Sequence, residues 1–137
     1  MDNYQLLKII SSFGQLKHKY LGSFPADLVP SYLPFNTFCI LNIELSSSPG
    51  SHWIILANKD NVIYFGDSLG KSLSDYTNIR LGQKTATIPL VSDGEVLQTG
   101  NYCGLYCIYF AYVLYTNCFS ERFLNDNFLL RFFSSYL

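Results

Sequence analysis

The 137 residues include 9 basic and 10 acidic side chains, for a net charge of −1, and 49% of the chain is apolar and 17% aromatic. A chain this apolar can close a core, which excludes a disordered tail or linker, and its length is that of a single domain over residues 1–137. No run of like charges is present to follow a phosphate backbone or an anionic membrane, so no nucleic acid is expected as a partner.

Asp2 or Asn3 can cap a short helix whose apolar positions Leu6, Leu7, Ile9 and Ile10 recur at helical spacing up to Gly14. This opening stretch lacks the basic flank and unbroken apolar run of a secretory signal, which predicts a reducing interior and free thiols at Cys39, Cys103, Cys107 and Cys118. Three prolines and a glycine in "YLGSFPADLVPSYLPF" (20–35) predict irregular chain. "FCILNIEL" (38–45), "HWIILAN" (52–58) and "NVIYFGDSL" (61–69) are rich in β-branched and aromatic residues and bounded by turn formers, so they predict neighbouring strands. "TATIPLV" (85–91) is a further candidate strand. Residues 103–118 and the segment from Ser120 to Leu137 read as helices, the second with Glu121 placed favourably on its dipole. Residues 102–116 carry no charge, yet they fall short of the roughly 20 residues needed to cross a bilayer, so a buried central helix and no membrane span are expected. The fold class that results is α+β, a small mixed or antiparallel sheet packed against a central helix.

The linker "NKDN" (58–61) suits a two-residue hairpin loop at Lys59 and Asp60. Such a loop pairs Asn58 with Asn61 and, counted outward, His52 with Asp67, on one face and with Cβ atoms about 5 Å apart. A carboxylate placed there can orient an imidazole. Cys103 stands where the polar run "TGNY" meets the apolar helix, so its sulfur lies at a helix N-terminus, which favours thiolate. Gly104 lets a substrate backbone approach, and the Gln98 amide can donate to an oxygen that becomes negative, beside the N–H of Cys103. Trp53 is expected to be core and to wall the cleft. His18, in "LKHKY", reads as solvent-facing, which leaves His52 as the candidate base.

Four ordered pieces carry a resemblance: "YLGSFP" (20–25), "GSHWIIL" (50–56), "YFGDSLG" (64–70) and "LQTGNYCGLYC" (97–107). Together they resemble the adenovirus-type cysteine endoproteases and the related SUMO-deconjugating proteases, over about residues 20–118. The order His, Asp, Gln, Cys differs from the papain order, in which Cys comes first. Tyr102 replaces the aspartate that precedes the nucleophile in SUMO proteases, and with the short chain this points to the viral branch. The gaps from Gln98 to Cys103 and from His52 to Asp67 are shorter than in relatives.

The resemblance implies that His52 is the general base, Asp67 its orienter, Gln98 part of the oxyanion hole and Cys103 the nucleophile. It implies cleavage of structural precursor proteins at glycine-containing sites during particle maturation, in the virion and the infected-cell interior. Adenovirus relatives are stimulated by a basic peptide and by DNA. The basic residues here are scattered from Lys8 to Arg131, which argues against DNA, whereas an unpaired sheet edge leaves an activating peptide open. The alternatives are an isopeptidase for a ubiquitin-like modifier, an acetyltransferase with the same constellation, and a non-catalytic structural or adaptor protein. Zinc on Cys103 and Cys107 with Cys39, Cys118 or His52 is a further alternative. The paired ligand spacings zinc requires are missing, so neither metal nor cofactor is expected and the other three cysteines are assigned to the core.

Overall fold

The structure is a computed structural model that describes residues 1–47, 51–76, 78–79, 87–118 and 124–137. In chain order it contains α1 (Asn3–Ile10), α2 (Gly14–Lys17), β1 (Tyr20–Pro25), β2 (Phe38–Asn42), β3 (Trp53–Lys59), β4 (Val62–Gly66), β5 (Thr87–Pro89), α3 (Cys103–Thr116) and α4 (Asp126–Phe132). The five strands form one mixed sheet in the order β1-β2-β3-β4-β5, so the fold is α+β, with α3 packed on the sheet. β2, β3 and β4 are antiparallel neighbours, while both outer strands run parallel to the strand they pair with.

The middle strands read as unbroken apolar runs because both faces of the sheet are covered. Phe38, Ile40, Ile55 and Ala57 face the helices, where they meet α1, α3 and α4. Cys39, Leu41, Ile54, Leu56, Ile63 and Phe65 face the other way and pack under Ala26, Leu33, Tyr76 and Ile79. Burying each of the larger side chains contributes about 1.5–3 kcal/mol. α3 is apolar all round because it is enclosed all round: the sheet lies on one side, and Leu6, Ile9 and Ile10 of α1 and Leu129 of α4 lie on the others. Asn117, in the left-handed conformation, ends it. Among the described residues no helix is long and apolar enough to cross a membrane.

Several sequence expectations are corrected. Residues 20–25 are a strand, not irregular chain: β1 is an edge strand, where Pro25 at its end leaves no ladder bond unmade. Of the two candidate caps for α1, Asp2 is the one used, its carboxylate accepting from the Gln5 N–H at 2.8 Å as expected. Gly14 does not stop the chain's helical character but opens α2. The strands are shorter than expected, β2 ending at Asn42 and β4 at Gly66, and α3 ends at Thr116. Residues 85 and 86 of the candidate strand, and the helix start at Ser120 with Glu121, lie outside the described residues; the described helix begins at Asp126 with Asn125 as its cap.

The hairpin loop also differs. Lys59 pairs with Val62, so the loop residues are Asp60 and Asn61, both at positive φ, 54° and 64°. A two-residue hairpin of this hand needs positive φ at both positions, which Asp and Asn tolerate and Lys does not. Asn58 therefore faces Ile63. Moving the loop by one residue moves every partner by two, so His52 lies diagonal to Asp67 rather than opposite, and the shared face is kept.

Candidate active site

His52 directly precedes β3 and Asp67 directly follows β4, so both lie where the ladder has ended and side chains are no longer held in rank. The His52 Nε2–H donates to Asp67 Oδ1 at 2.6 Å. Asp67 is 1% exposed and fully partnered: Oδ1 also accepts from the Leu69 N–H at 2.9 Å, and Oδ2 accepts from the Tyr76 hydroxyl. Tyr76 comes from the layer beneath the sheet and buttresses the carboxylate through its second oxygen, with its ring centroid 6.5 Å from that of His52. Burial opposes the charge of Asp67, but the bonds from His52, Tyr76 and Leu69 outweigh it and hold the carboxyl below its ordinary range. Burial, with this carboxylate beside it, raises the pKa of the Tyr76 phenol, which keeps it a proton donor.

With Nε2 taken, the other ring nitrogen of His52 is the one left to face Cys103, and the imidazole and the thiol stand close enough to shift each other's pKa. Cys103 is the first residue of α3, and its sulfur accepts from the Trp53 N–H at 3.4 Å. Burial disfavours thiolate, but the His52 bond, the N–H of Trp53 and that of Gly104 reverse the balance, so the pKa of Cys103 is lowered. Burial likewise disfavours imidazolium, and the bonds to Asp67 and Cys103 reverse it, raising His52 to about 9. The pair therefore favours thiolate with imidazolium near neutrality, and such a pair can attack a carbonyl carbon and then protonate a leaving group. Cys39, pushed up to about 12, and Cys107, also raised, are enclosed by apolar neighbours and stay thiols. Cys118 is exposed, not in the core.

Cys103 opens into a cleft of about 540 Å³ lined by residues 1–4, Asn42, Ser51, Trp53, Asn101 and Gly104. The chain's own N-terminus is one wall, pinned by the Trp53 Nε1–H, which donates to the Met1 carbonyl at 2.9 Å. Trp53 is thus both packed on the core and part of the cleft. Gly104 also lines it, but a Cβ there would stand 3.0 Å from Leu6 Cδ2 and 3.1 Å from Met1 Sδ. The room that this glycine leaves is taken by the N-terminal segment, not kept for a substrate backbone.

Gln98 is brought to the same end of the molecule but is missing from the cleft lining. Its Oε1 accepts from the Ser68 hydroxyl, and its Nε2 donates to the Gly100 carbonyl at 3.2 Å. The Ser68 carbonyl in turn accepts from the Leu97 N–H at 2.8 Å, so the turn after Asp67 is stitched to the loop before Cys103. Asn101, not Gln98, has its place in the cleft beside Cys103. Sequence reasoning missed Tyr76, Asn42 and the N-terminal wall; no spacing marks a residue whose partner comes from another layer. Among the described residues no group of three or more His, Cys, Asp or Glu is placed to hold a metal ion. In sequence, the chain matches no protein-family model and no curated protein.

Proposed function

We propose that the chain is a cysteine endopeptidase of the adenovirus type, cutting a protein or peptide substrate at glycine-containing sites, as in the maturation of viral structural precursors. The observation that carries this reading is the imidazole of His52 hydrogen-bonded to a buried carboxylate and electrostatically coupled to a thiol at a helix N-terminus that opens into a cleft. Cys103 thiolate adds to the peptide carbonyl and the π pair moves to oxygen, where the backbone N–H of Cys103 and the Asn101 amide are the nearest candidates to meet it. His52 imidazolium passes its proton to the amine as the C–N bond breaks. The neutral imidazole then deprotonates water, which attacks the thioester and expels the thiolate. A cleft of this volume beside Cys103 has room for an extended chain.

The test is incubation with a peptide ending in a glycine-linked electrophile, read by mass spectrometry, together with turnover of glycine-containing peptides. Labelling confined to Cys103 and lost in Cys103→Ala, with peptide cleavage, is the expected result. Acetyl transfer from acetyl-CoA without peptide cleavage would replace the protease with an acetyltransferase, and absence of both with an inert Cys103 would leave a structural or adaptor protein.

A further inference from the structure

The loop that leads into α3 is held by a carboxylate from the far end of the chain. Asp126 Oδ2 accepts from the Thr99 N–H at 3.0 Å, the Thr99 hydroxyl at 2.7 Å and the Gly100 N–H at 2.7 Å. Its other oxygen, Oδ1, lies 2.8 Å from the hydroxyl of Tyr106, which is also 3.0 Å from the Leu97 carbonyl. α4 does not need this carboxylate for capping, because Asn125 accepts from the Phe128 N–H at 2.9 Å. α4 itself is fixed on α3 by edge-on aromatic contacts, Tyr109 with Phe128 at 5.4 Å and with Phe132 at 5.2 Å. A Cβ at residue 100 would sit 2.7 Å from the Tyr102 ring, so glycine leaves that ring its place, with the Asp126 carboxylate in ordinary contact range at 3.4 Å. The loop so gripped, residues 97–101, carries Asn101 into the cleft and sets the first N–H of α3.

We propose that Asp126 is a positioning residue for oxyanion binding, which holds the 97–101 loop so that its donors face the oxygen of a carbonyl attacked by Cys103. The inference rests on the protease reading for the identity of that carbonyl, but it concerns the loop's geometry alone. Burial disfavours the charge of Asp126, but the hydroxyls of Thr99 and Tyr106 and the N–H groups of Gly100 and Thr99 outweigh it and lower the pKa of the carboxyl, so the grip is a set of charge-assisted bonds, each stronger than a neutral one. The thiolate–imidazolium pair makes no contact with Asp126, so the two halves of the site are separable.

The test compares two reactions of Cys103 in Asp126→Ala, Asp126→Asn and the wild type. With a peptide ending in glycinal, the thiolate sulfur bonds to the aldehyde carbon, the π pair moves to oxygen, and the resulting oxyanion takes the imidazolium proton, with nothing leaving. With iodoacetamide, an S–C bond forms as iodide departs, and no oxyanion arises. Asp126→Ala is expected to bind the aldehyde about 10- to 100-fold more weakly, while its alkylation rate stays within about twofold of wild type. Asp126→Asn, which keeps an acceptor oxygen, recovers most of the affinity. In Asp126→Ala kcat for a glycine-containing peptide falls and KM holds, and Asp126→Asn recovers most of kcat. Equal aldehyde affinity in wild type and Asp126→Ala, including the case in which neither binds, overturns the proposal, as does a parallel loss of both reactions, which would make Asp126 a fold determinant only. A wild type that binds the aldehyde but cuts no peptide defeats the protease reading and leaves the positioning role standing.

Discussion

The carboxylate of Asp67 holds the imidazole of His52 across the open end of the sheet, 2.6 Å from Oδ1 to Nε2, although neither residue belongs to the ladder that places them. The two follow from Ile55 paired with Gly66: carried one step on, that register sets Ile54 against Asp67 and leaves His52 on the same face, two residues further out. The gap is closed by backbone turning after Gly66, where Asp67 accepts from the N–H of Leu69 and its carbonyl from that of Gly70.

This pairing predicts a pH profile. The reactive form is thiolate with imidazolium; Cys103, lowered, stays charged on the alkaline side of its pKa, and His52, raised to about 9, stays charged below that value. Turnover should therefore form a bell whose alkaline limb lies near pH 9, with limbs that belong to the coupled pair rather than to either residue. Asp67→Asn removes the charge that raises His52, so burial pulls the imidazole toward neutral and the alkaline limb retreats to lower pH. A loss on the order of 10²-fold or more near pH 8 is expected, the usual scale of general acid–base catalysis. The profile of kcat/KM from pH 5 to 10 checks this, and an unmoved alkaline limb in Asp67→Asn would refute it.

The oxyanion donor is predicted to be Asn101 rather than Gln98. Asn101→Ala should lower kcat by about 10²- to 10³-fold with little change in KM, the cost of losing one such donor. Gln98→Ala acts differently, because it strips the buried Ser68 hydroxyl of its acceptor. An unfolding free energy lower by about 1–3 kcal/mol is expected. Urea unfolding and steady-state kinetics on both variants separate the roles, and a large kcat effect with unchanged stability in Gln98→Ala would return the donor role to that residue.

How much of this could be read from the sequence depends on how far apart the partners lie. The strands, the central helix and the place of Cys103 at its start were legible because each is a local signal: apolar runs of strand length, fifteen uncharged residues from Tyr102 to Thr116, and a polar run ending at Cys103. The hairpin register needed one more local fact, that Asp60 and Asn61 accept positive φ more readily than Lys59. β1 was hidden by Gly22 and Pro25, which read as breakers but are tolerated on an edge. Asp126 and Tyr76 were illegible for another reason: one reaches back to Thr99 and the other up to Asp67 from a different layer, and no periodicity records such contacts.

The thiols should react in an order set by burial and charge. Iodoacetamide at neutral pH is expected to modify Cys103 first and the exposed Cys118 more slowly, while Cys39 and Cys107 react only on unfolding, their pKa values being raised by burial. Cys107→Ser, which places a hydroxyl among apolar neighbours, should destabilise by about 1–3 kcal/mol without changing the labelling of Cys103. Peptide mapping of partially alkylated protein gives the order, and prior modification of Cys118 would show that Cys103 lacks the activating pair.

Met1, at the edge of the N-terminal wall of the cleft, is tied to Trp53 by a hydrogen bond from Trp53 Nε1–H to its carbonyl, in addition to its packing on the core. Trp53→Phe keeps an aromatic ring against the core but removes the donor, so stability should fall by about 0.5–1.5 kcal/mol beyond the loss of ring area. The backbone N–H of Trp53 still reaches Cys103 sulfur in that variant, so the thiolate keeps its partner. Freed of its anchor, Met1 no longer defines one side of the space beside Cys103, and a substrate loses a preformed surface before any bond changes. KM should therefore rise several-fold while kcat and the rate of Cys103 alkylation hold. A fall in kcat at constant KM would mean instead that the indole acts on the reacting groups, and that the N-terminal segment is a bystander to binding.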